Sequence, residues 1–251
     1  MAYKPQEILE VAGFAAGIMM KNGGETYRVE EMITYLCASA GMDNTSSFVI
    51  PTGLVISVSR SGATPETIVV RLRERGTNLE KVSLVNDFSR KMAIQKWSYP
   101  EAMARLQEID STQDSYKKYW VILASGMVAG LFTLFLGGVG MDAIASFITS
   151  VVIQSLIIFS LVREINFFSE FLGGFLAVLM GISFVKAGLG QSLDGIVIGA
   201  IIPLVPGIAI TNAVRDVVKG ELLSGVVRTF EAFWISVAIA AGVAASFYLF
   251  G

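Results

Sequence analysis

Four long stretches without a charged residue dominate the second half of this 251-residue chain. They cover residues 119–141, 143–162, 195–214 and 232–251, and each contains at least 20 residues. Because about 20 mostly apolar residues in a helix are enough to cross the hydrocarbon core of a bilayer, each stretch predicts a membrane span. An ordinary soluble fold is excluded for this part of the chain.

A shorter apolar run between Glu170 and Lys186 predicts a fifth span, the third in chain order. It becomes long enough when Phe167 and Phe168 are included and the Lys186 side chain reaches the membrane surface. The sequence therefore predicts an α-helical polytopic membrane protein, with about five spans in a transmembrane domain of residues 115–251.

Charged residues are concentrated before the first predicted span. Residues 1–118 hold 14 of the 19 Lys and Arg residues and 14 of the 21 Asp and Glu residues. Here the apolar pattern changes from helical periodicity to β-branched strands divided by turn residues, and then back to helical periodicity. Residues 1–114 are therefore predicted to form a small α+β domain, with helices at 6–22, 25–39, 79–96 and 99–107 and strands at 46–51, 54–60 and 66–73.

The distribution of basic residues predicts the orientation in the membrane. They occur before the first predicted span and after the second and fourth, at Lys117, Lys118, Arg163, Arg215, Lys219 and Arg228. Because basic loops stay in the cytoplasm, the amino terminus is predicted inside and the carboxyl terminus outside. The first residues lack a basic segment followed by an apolar one, so we expect no cleaved signal peptide and a cytoplasmic amino-terminal domain.

Composition also limits the chemistry. The chain has no His, one Cys and a formal charge of −2, which argues against a metal site, an internal disulfide and a nucleic-acid partner. Cys37 lies on an apolar helix face with no His to activate it, so we interpret it as a buried structural thiol. No cofactor is expected, and a membrane-surface enzyme is the least favoured class because no nucleophile or phosphate-loop motif is present.

The fourth predicted span is interrupted by Pro203 and by Pro206-Gly207. Proline removes a backbone donor, and a bilayer offers no water to replace the lost hydrogen bond. If a second half-helix starts at Ile208, its first amides point into the membrane, as in transporters that bind an anionic solute at such an end.

Polar side chains follow this break at helical spacing. Thr211 with Arg215, and Asn212 with Asp216, are each four residues apart and lie on adjoining faces. Together with Gly207 they predict a binding site for a solute carboxylate. The alternative is a proline kink followed by a charge pair that marks the cytoplasmic boundary.

A second group of charges follows Gly23-Gly24 at the start of the second predicted helix. It consists of Glu25, Arg28, Glu30 and Glu31. One interpretation is favourable helix electrostatics, with an acid near the positive N-terminus and an i, i+3 ion pair. The other is a regulatory or coupling contact between the amino-terminal domain and the membrane part.

These motifs closely resemble those of the threonine/serine exporter family. The resemblance covers nearly the whole chain. One departure is Glu221, where the family pattern has Asp. The matching residues are Gly24-Glu25, Arg28-Val29-Glu30-Glu31, Pro51-Thr52-Gly53, Pro206-Gly207, Thr211-Asn212-Ala213, Arg215-Asp216, Gly220 and Ser224-Gly225.

The resemblance implies a secondary transporter in the bacterial inner membrane that exports small amino acids or organic acids, driven by an ion gradient. Short members resemble the first half of long ones, so a small partner subunit, a homo-oligomer, or both are expected. Without His, a coupling proton would need a carboxylate whose pKa is raised by burial, at Asp216, Glu170 or Glu221. The alternative function is a membrane-anchored ligand sensor or scaffold without transport activity.

Overall fold

The computed structural model describes residues 3–73, 76–112, 116–159 and 167–251. They form two compact units: the first combines Met1–Ser115 with Ile208–Thr229, and the second combines Tyr116–Gly207 with Phe230–Gly251. Residues 208–229, which we predicted within the transmembrane domain, therefore belong to the same unit as the amino-terminal elements. The predicted boundary after residue 114 lies outside the described residues.

The first unit begins with the order of elements that the apolar pattern predicted. Two helices precede three strands, and two further helices follow. They are α1 (Pro5–Lys21), α2 (Thr26–Ser39), β1 (Asn44–Ile50), β2 (Gly53–Ser59), β3 (Glu66–Arg71), α3 (Leu79–Gln95) and α4 (Tyr99–Ser111).

The three strands form one antiparallel sheet with β2 in the middle. Alternate residues of β2, namely Leu54, Ile56 and Val58, are buried in one core with apolar residues of α1 and α2, as a strand with one solvated face requires. Cys37 is fully buried in this core, which confirms the structural interpretation. Burial raises the pKa of its thiol to about 11.

The second unit is helical. Three of its helices, α5 (Lys118–Phe135), α6 (Gly140–Phe159) and α7 (Phe168–Lys186), correspond to the first three predicted spans. The predicted basic connection at Arg163 lies outside the described residues. Among the part that the structure describes, four helices are long and apolar enough to cross a membrane, namely these three and α10 (Leu222–Phe250).

The fourth predicted span is broken, as the prolines indicated. Helix α8 (Leu193–Ile201) continues into a 3₁₀ turn at Ile202–Leu204, and helix α9 (Gly207–Val218) begins after Pro206, one residue earlier than predicted. The chain bends by 58° between Leu193–Leu204 and Gly207–Val218. Counting this bent pair as one span brings the total to five.

Helices α7 and α10 pack backbone to backbone through glycine. A Cβ atom at Gly174 would overlap the carbonyl oxygen of Ile239, and one at Gly242 would overlap that of Phe171. In lipid, small residues permit the close approach that van der Waals packing between helices needs.

A buried carboxylate that we did not predict ties α6 to the start of α8. Asp142 is 1% exposed. One of its oxygens accepts hydrogen bonds from the backbone N–H groups of Gln191 (2.6 Å) and Ser192 (3.1 Å), and the other accepts from Val139 (3.0 Å). Three donors compensate for the loss of water around the charge.

Replacement of Asp142 by Asn is expected to lower the free energy of unfolding of the second unit by about 2 kcal/mol. The Asn carbonyl oxygen can still accept from Gln191 and Ser192, but its amide nitrogen cannot accept the Val139 N–H. Thermal unfolding in detergent measures the loss. Asp194→Asn, at an exposed carboxylate in the first turn of α8, is the control, and equal midpoints for the two variants would contradict the prediction.

Candidate functional site

The two sequence motifs, one at the start of α2 and one in α9, meet in the first unit. The turn before α2 places Gly23 at a φ of +88°, a left-handed conformation that favours glycine. The first amides of a helix have no partner within it, so the start of α2 offers donors to another part of the chain. We call the meeting residues the α2–α9 cluster: Gly23, Gly24, Glu25, Thr26, Asn212, Arg215, Asp216 and Arg228.

Asp216 caps α2 from 190 residues away in the sequence. Its Oδ1 accepts a hydrogen bond from the backbone N–H of Thr26 at 3.1 Å, and its Oδ2 accepts one from the Thr26 hydroxyl at 3.1 Å. Asp216 is fully buried. The positive end of the α2 dipole favours a carboxylate at this point.

Arg228 of α10 supplies the opposite charge. Its Nε lies 3.0 Å from Asp216 Oδ2 in an ion pair, although the Nε–H is not aligned for a hydrogen bond. A terminal nitrogen donates to the carbonyl oxygen of Gly24 at 2.7 Å. Only 9% of Arg228 is exposed, so the pair is buried, and removal of either partner would leave an uncompensated charge.

Two further contacts hold α9 and α10 to the same region. The side-chain amide of Asn212 donates to the carbonyl oxygen of Gly23 at 3.0 Å. The hydroxyl of Ser224 donates to the carbonyl oxygen of Val49, at the end of β1, at 3.1 Å. The first contact satisfies a backbone carbonyl in the turn before α2, and the second reaches a strand of the sheet.

Arg215 and Glu25 form the more accessible part of the cluster. A terminal nitrogen of Arg215 donates to Glu25 Oε1, and Arg28 lies 3.5 Å from Glu25 Oε2. The side chains of Arg215 and Arg28 are 58% and 41% exposed, whereas that of Glu25 is 8% exposed. Burial alone would raise the pKa of Glu25, but the hydrogen bond and charge of Arg215 and the charge of Arg28 outweigh it and lower the pKa.

A pair of carboxylates lies beside the cluster. Glu30 accepts a hydrogen bond from the backbone N–H of Val49 at 3.0 Å. Burial and the nearby charge of Glu221 raise the pKa of Glu30 and outweigh the opposite effect of the Val49 hydrogen bond. The carboxylate at Glu221, where the sequence departs from the exporter pattern, therefore faces another acidic side chain.

The structure brings together part of the predicted site. Glu25, Arg28 and Arg215 are joined by side-chain contacts. Asn212 and Asp216 bind the neighbouring residues Gly23 and Thr26. Of the remaining predicted residues, Glu31 and Thr211 are exposed, Glu170 lies in the first turn of α7 in the second unit, Pro203 lies in the 3₁₀ turn, Pro206 lies at the break, and Gly207 is the first residue of α9.

Sequence reasoning missed Thr26 and Ser224 as contacts and interpreted Arg228 only as an orientation signal. Their spacing carried a signal, because Ser224 and Arg228 are four residues apart and therefore share one face of α10. Among the described residues, no group of three or more His, Cys, Asp or Glu side chains is placed to hold a metal ion.

The stability of the first unit is expected to depend on pH through Glu25. Because its folded pKa is lowered, Glu25 stabilises the fold above the ordinary Glu pKa of about 4.3, and this contribution is lost as pH falls through the lowered value. Wild-type protein should therefore lose more unfolding free energy than Glu25→Gln between about pH 5 and about pH 3. The difference should be about 1 kcal/mol or less, because solvent screens the exposed Arg215. Parallel pH profiles for the two proteins would contradict the assignment.

The model of the ThrE family, described as "Putative threonine/serine exporter", matches residues 10–250. The chain belongs to the ThrE family. No solved structure matches it.

The ThrE relatives differ in length and in the solute that their names give. The "Probable succinate transporter subunit YjjP" of Klebsiella aerogenes is 24% identical over 93% of this chain and 90% of its own length. A "Probable threonine/serine exporter" of Mycobacterium tuberculosis is 21% identical over 95% of this chain, but this is 45% of the exporter. The "Threonine/serine exporter" of Corynebacterium glutamicum is 28% identical over 66% of this chain and 35% of its own length.

Family membership and the apolar helices make this chain a multi-pass membrane protein of a transporter family. The ThrE relatives are named as exporters or transporter subunits rather than as enzymes.

Proposed function

We propose that this chain is a subunit of a secondary transporter that exports small amino acids of the threonine and serine kind, or small organic acids. We also propose that Arg215 receives the carboxylate of the solute. One observation carries the site: the guanidinium of Arg215 binds a carboxylate, that of Glu25, while 58% of the Arg215 side chain is exposed. The amino acids and the dicarboxylate in the relatives' names all carry such a group.

In this proposal the solute competes with Glu25. A guanidinium has five N–H donors in a planar fork, which suits a carboxylate that approaches from the exposed side. Thr211 lies one helical turn before Arg215 on the same face and supplies a hydroxyl. The proposed site also keeps Gly207, the first residue of α9, at the positive end of the helix dipole.

Asn212 and Asp216 take a positioning role in the proposal. Both bind the turn and first residue of α2, so they hold α9 while Arg215 exchanges partners. Glu25 precedes the first residue of α2. Its displacement by the solute would therefore change the contacts at the start of that helix. This is the coupling contact that the charges around Glu25 suggested.

The proposed driving force is a proton gradient. Of the three carboxylates considered from the sequence, Glu221 has the best support, because it lies close enough to Glu30 to raise the pKa of that group. Repulsion between two ionised carboxylates favours protonation of one of them. Asp216 is already neutralised by Arg228, and Glu170 belongs to the other unit.

The proposal includes a second small membrane subunit, supported by the word "subunit" in the name of the YjjP relative, of which this chain covers 90%. It also places the amino terminus inside the cell and the carboxyl terminus outside, on the basis of the basic residues that flank the spans.

Counterflow in proteoliposomes tests the transport proposal. The purified chain is reconstituted with and without a co-purified small membrane protein. The proteoliposomes are loaded with unlabelled solute and then exposed to labelled threonine, serine or succinate. Uptake of one of these solutes above that of empty liposomes is expected. No uptake of any of them under either condition, with correctly inserted protein, would overturn the proposal.

A cavity favours a ligand sensor as the second candidate function. It lies in the first unit and has a volume of about 330 Å³. It is lined by apolar residues of α1, β3 and α4 together with four charged ones, Glu10, Lys21, Arg71 and Asp110. The volume lies within the range of small-molecule pockets. Binding of a labelled solute without counterflow, abolished by Gly17→Phe in α1, would support this candidate over transport.

A further inference from the structure

Helix α9 has the reverse of the polarity expected for a helix of a soluble domain. Its buried residues are Asn212, Ala213 and Asp216. Its exposed side chains include large apolar ones: Ile208 (45%), Ile210 (44%), Val214 (58%), Val217 (42%) and Val218 (78%). A soluble amphipathic helix buries its apolar face and exposes its polar face. Exposure of the apolar side chains of α9 to water is therefore unfavourable.

The exposed apolar surface continues into α10. Arg228, a member of the α2–α9 cluster, and Ser224, which contacts Val49, are buried. In contrast, Leu222 (62%), Leu223 (53%) and Val226 (61%) are exposed. Gly220, with a φ of +95°, makes the turn between the two helices. We call the eight exposed side chains the α9–α10 face: Ile208, Ile210, Val214, Val217, Val218, Leu222, Leu223 and Val226.

This surface is concentrated in a short segment. The 22 residues 208–229 of the first unit expose eight large apolar side chains, whereas the 108 described residues from 3 to 112 expose six, which are Tyr35, Phe48, Val55, Val69, Leu79 and Ile94. Scattered exposed apolar residues are normal on a protein surface, but a contiguous patch marks a contact with a partner or a membrane.

We infer that the α9–α10 face lies in the boundary between lipid headgroups and acyl chains, so that the first unit contacts the bilayer directly. Lipid is the favoured occupant because the face continues along α10, a helix long and apolar enough to cross the membrane. The next exposed large apolar residues on α10 are Phe230, Phe233 and Trp234. Phe and Trp are typical of the apolar face of helices that lie in a membrane interface.

Charge supports the same occupant. Lys219 is exposed in the turn between the two helices, and its ammonium lies 5.1 Å from the centre of the Tyr27 ring. Arg215 is exposed beside the apolar side chains of α9. Cations next to an exposed apolar helix face suit anionic headgroups. The inference does not depend on which solute is transported.

Spin labels at single cysteines test the inference in the full-length protein, reconstituted into phosphatidylcholine and phosphatidylglycerol vesicles. Val218→Cys and Val226→Cys place the label on the α9–α10 face, and Val69→Cys places it on β3, in the same unit at similar exposure (73%). Native Cys37 is buried. Wild-type protein treated with the same spin label shows whether Cys37 stays unlabelled. Collision rates are compared for oxygen, which partitions into lipid, and for a water-soluble nickel chelate.

Labels at positions 218 and 226 should collide more with oxygen than with nickel, and the label at position 69 should show the opposite order. Nickel-accessible labels at 218 and 226 would overturn the inference in favour of water. Labels shielded from both reagents would overturn it in favour of a covering protein surface, such as a second copy of the chain.

Discussion

Asp216→Ala is expected to lower the free energy of unfolding of the first unit by about 3–5 kcal/mol. The change leaves Arg228, which is 9% exposed, as a buried charge without its counterion. It also removes both hydrogen bonds that Thr26 donates to the carboxylate. Disruption of a buried ion pair by removal of one partner is costly because the remaining charge has neither water nor a counterion.

Tryptophan fluorescence can follow this unit alone. Trp97 is buried in the first unit against Phe88, whereas Trp120 and Trp234 are exposed and can be replaced by Phe. Denaturant unfolding of this single-tryptophan protein then measures the loss. Glu31→Ala, at an exposed carboxylate of α2, is the control. A loss below about 1 kcal/mol for Asp216→Ala, as is typical of a surface pair, would contradict the buried assignment.

A double variant separates charge from hydrogen bonding. Asp216→Asn keeps an oxygen that can accept from Thr26 but leaves Arg228 without a counterion. Combining it with Arg228→Met removes both charges. The double variant should be more stable than Asp216→Asn alone, because replacing both members of a buried ion pair costs less than leaving one charge without its counterion. If the second substitution recovers no stability, the lost hydrogen bonding at the start of α2, rather than the unpaired charge, accounts for most of the destabilisation.

Arg215→Ala is expected to reduce efflux of the transported solute to a tenth or less, while the amount of inserted protein stays unchanged. Loss of a charge-assisted hydrogen bond to the solute should weaken binding roughly 10–150-fold. The stability cost should be small, because the side chain is 58% exposed and its pair with Glu25 is screened. Lys219→Ala, at another exposed cation close by, is the matched control.

Exchanging the two charges distinguishes solute binding from pairing. The double variant Glu25→Arg with Arg215→Glu keeps an ion pair between α2 and α9 but removes the cation from α9. If Arg215 binds the solute, efflux should remain low. Recovery of wild-type efflux would show that Arg215 acts only through Glu25. The single variant Glu25→Gln, which frees Arg215 from its competitor, should lower the solute concentration needed for half-maximal efflux.

The order of elements in the first unit and the break in the fourth predicted span were predictable because they have local causes. A strand alternates in burial every second residue, a helix repeats every 3.6 residues, and proline cannot donate the hydrogen bond that continues a helix. Cys37 was predictable for the same reason, since its neighbours place it on an apolar face. Asp142 was missed because its three partners include two amides from a distant turn.

The polar α+β segment, the roughly five apolar segments and the interrupted helix at Pro206-Gly207 can be read from the sequence, since length, periodicity and proline act locally. The inward direction of Asn212, Asp216 and Arg228, toward the start of α2, is visible only in the folded chain. A charged residue after an apolar helix can either mark a membrane boundary or form a buried ion pair. The two cases show the same helical spacing and differ only in which residue the charge contacts. Here Thr26 is 190 residues from Asp216, and no local pattern reveals a partner at that separation.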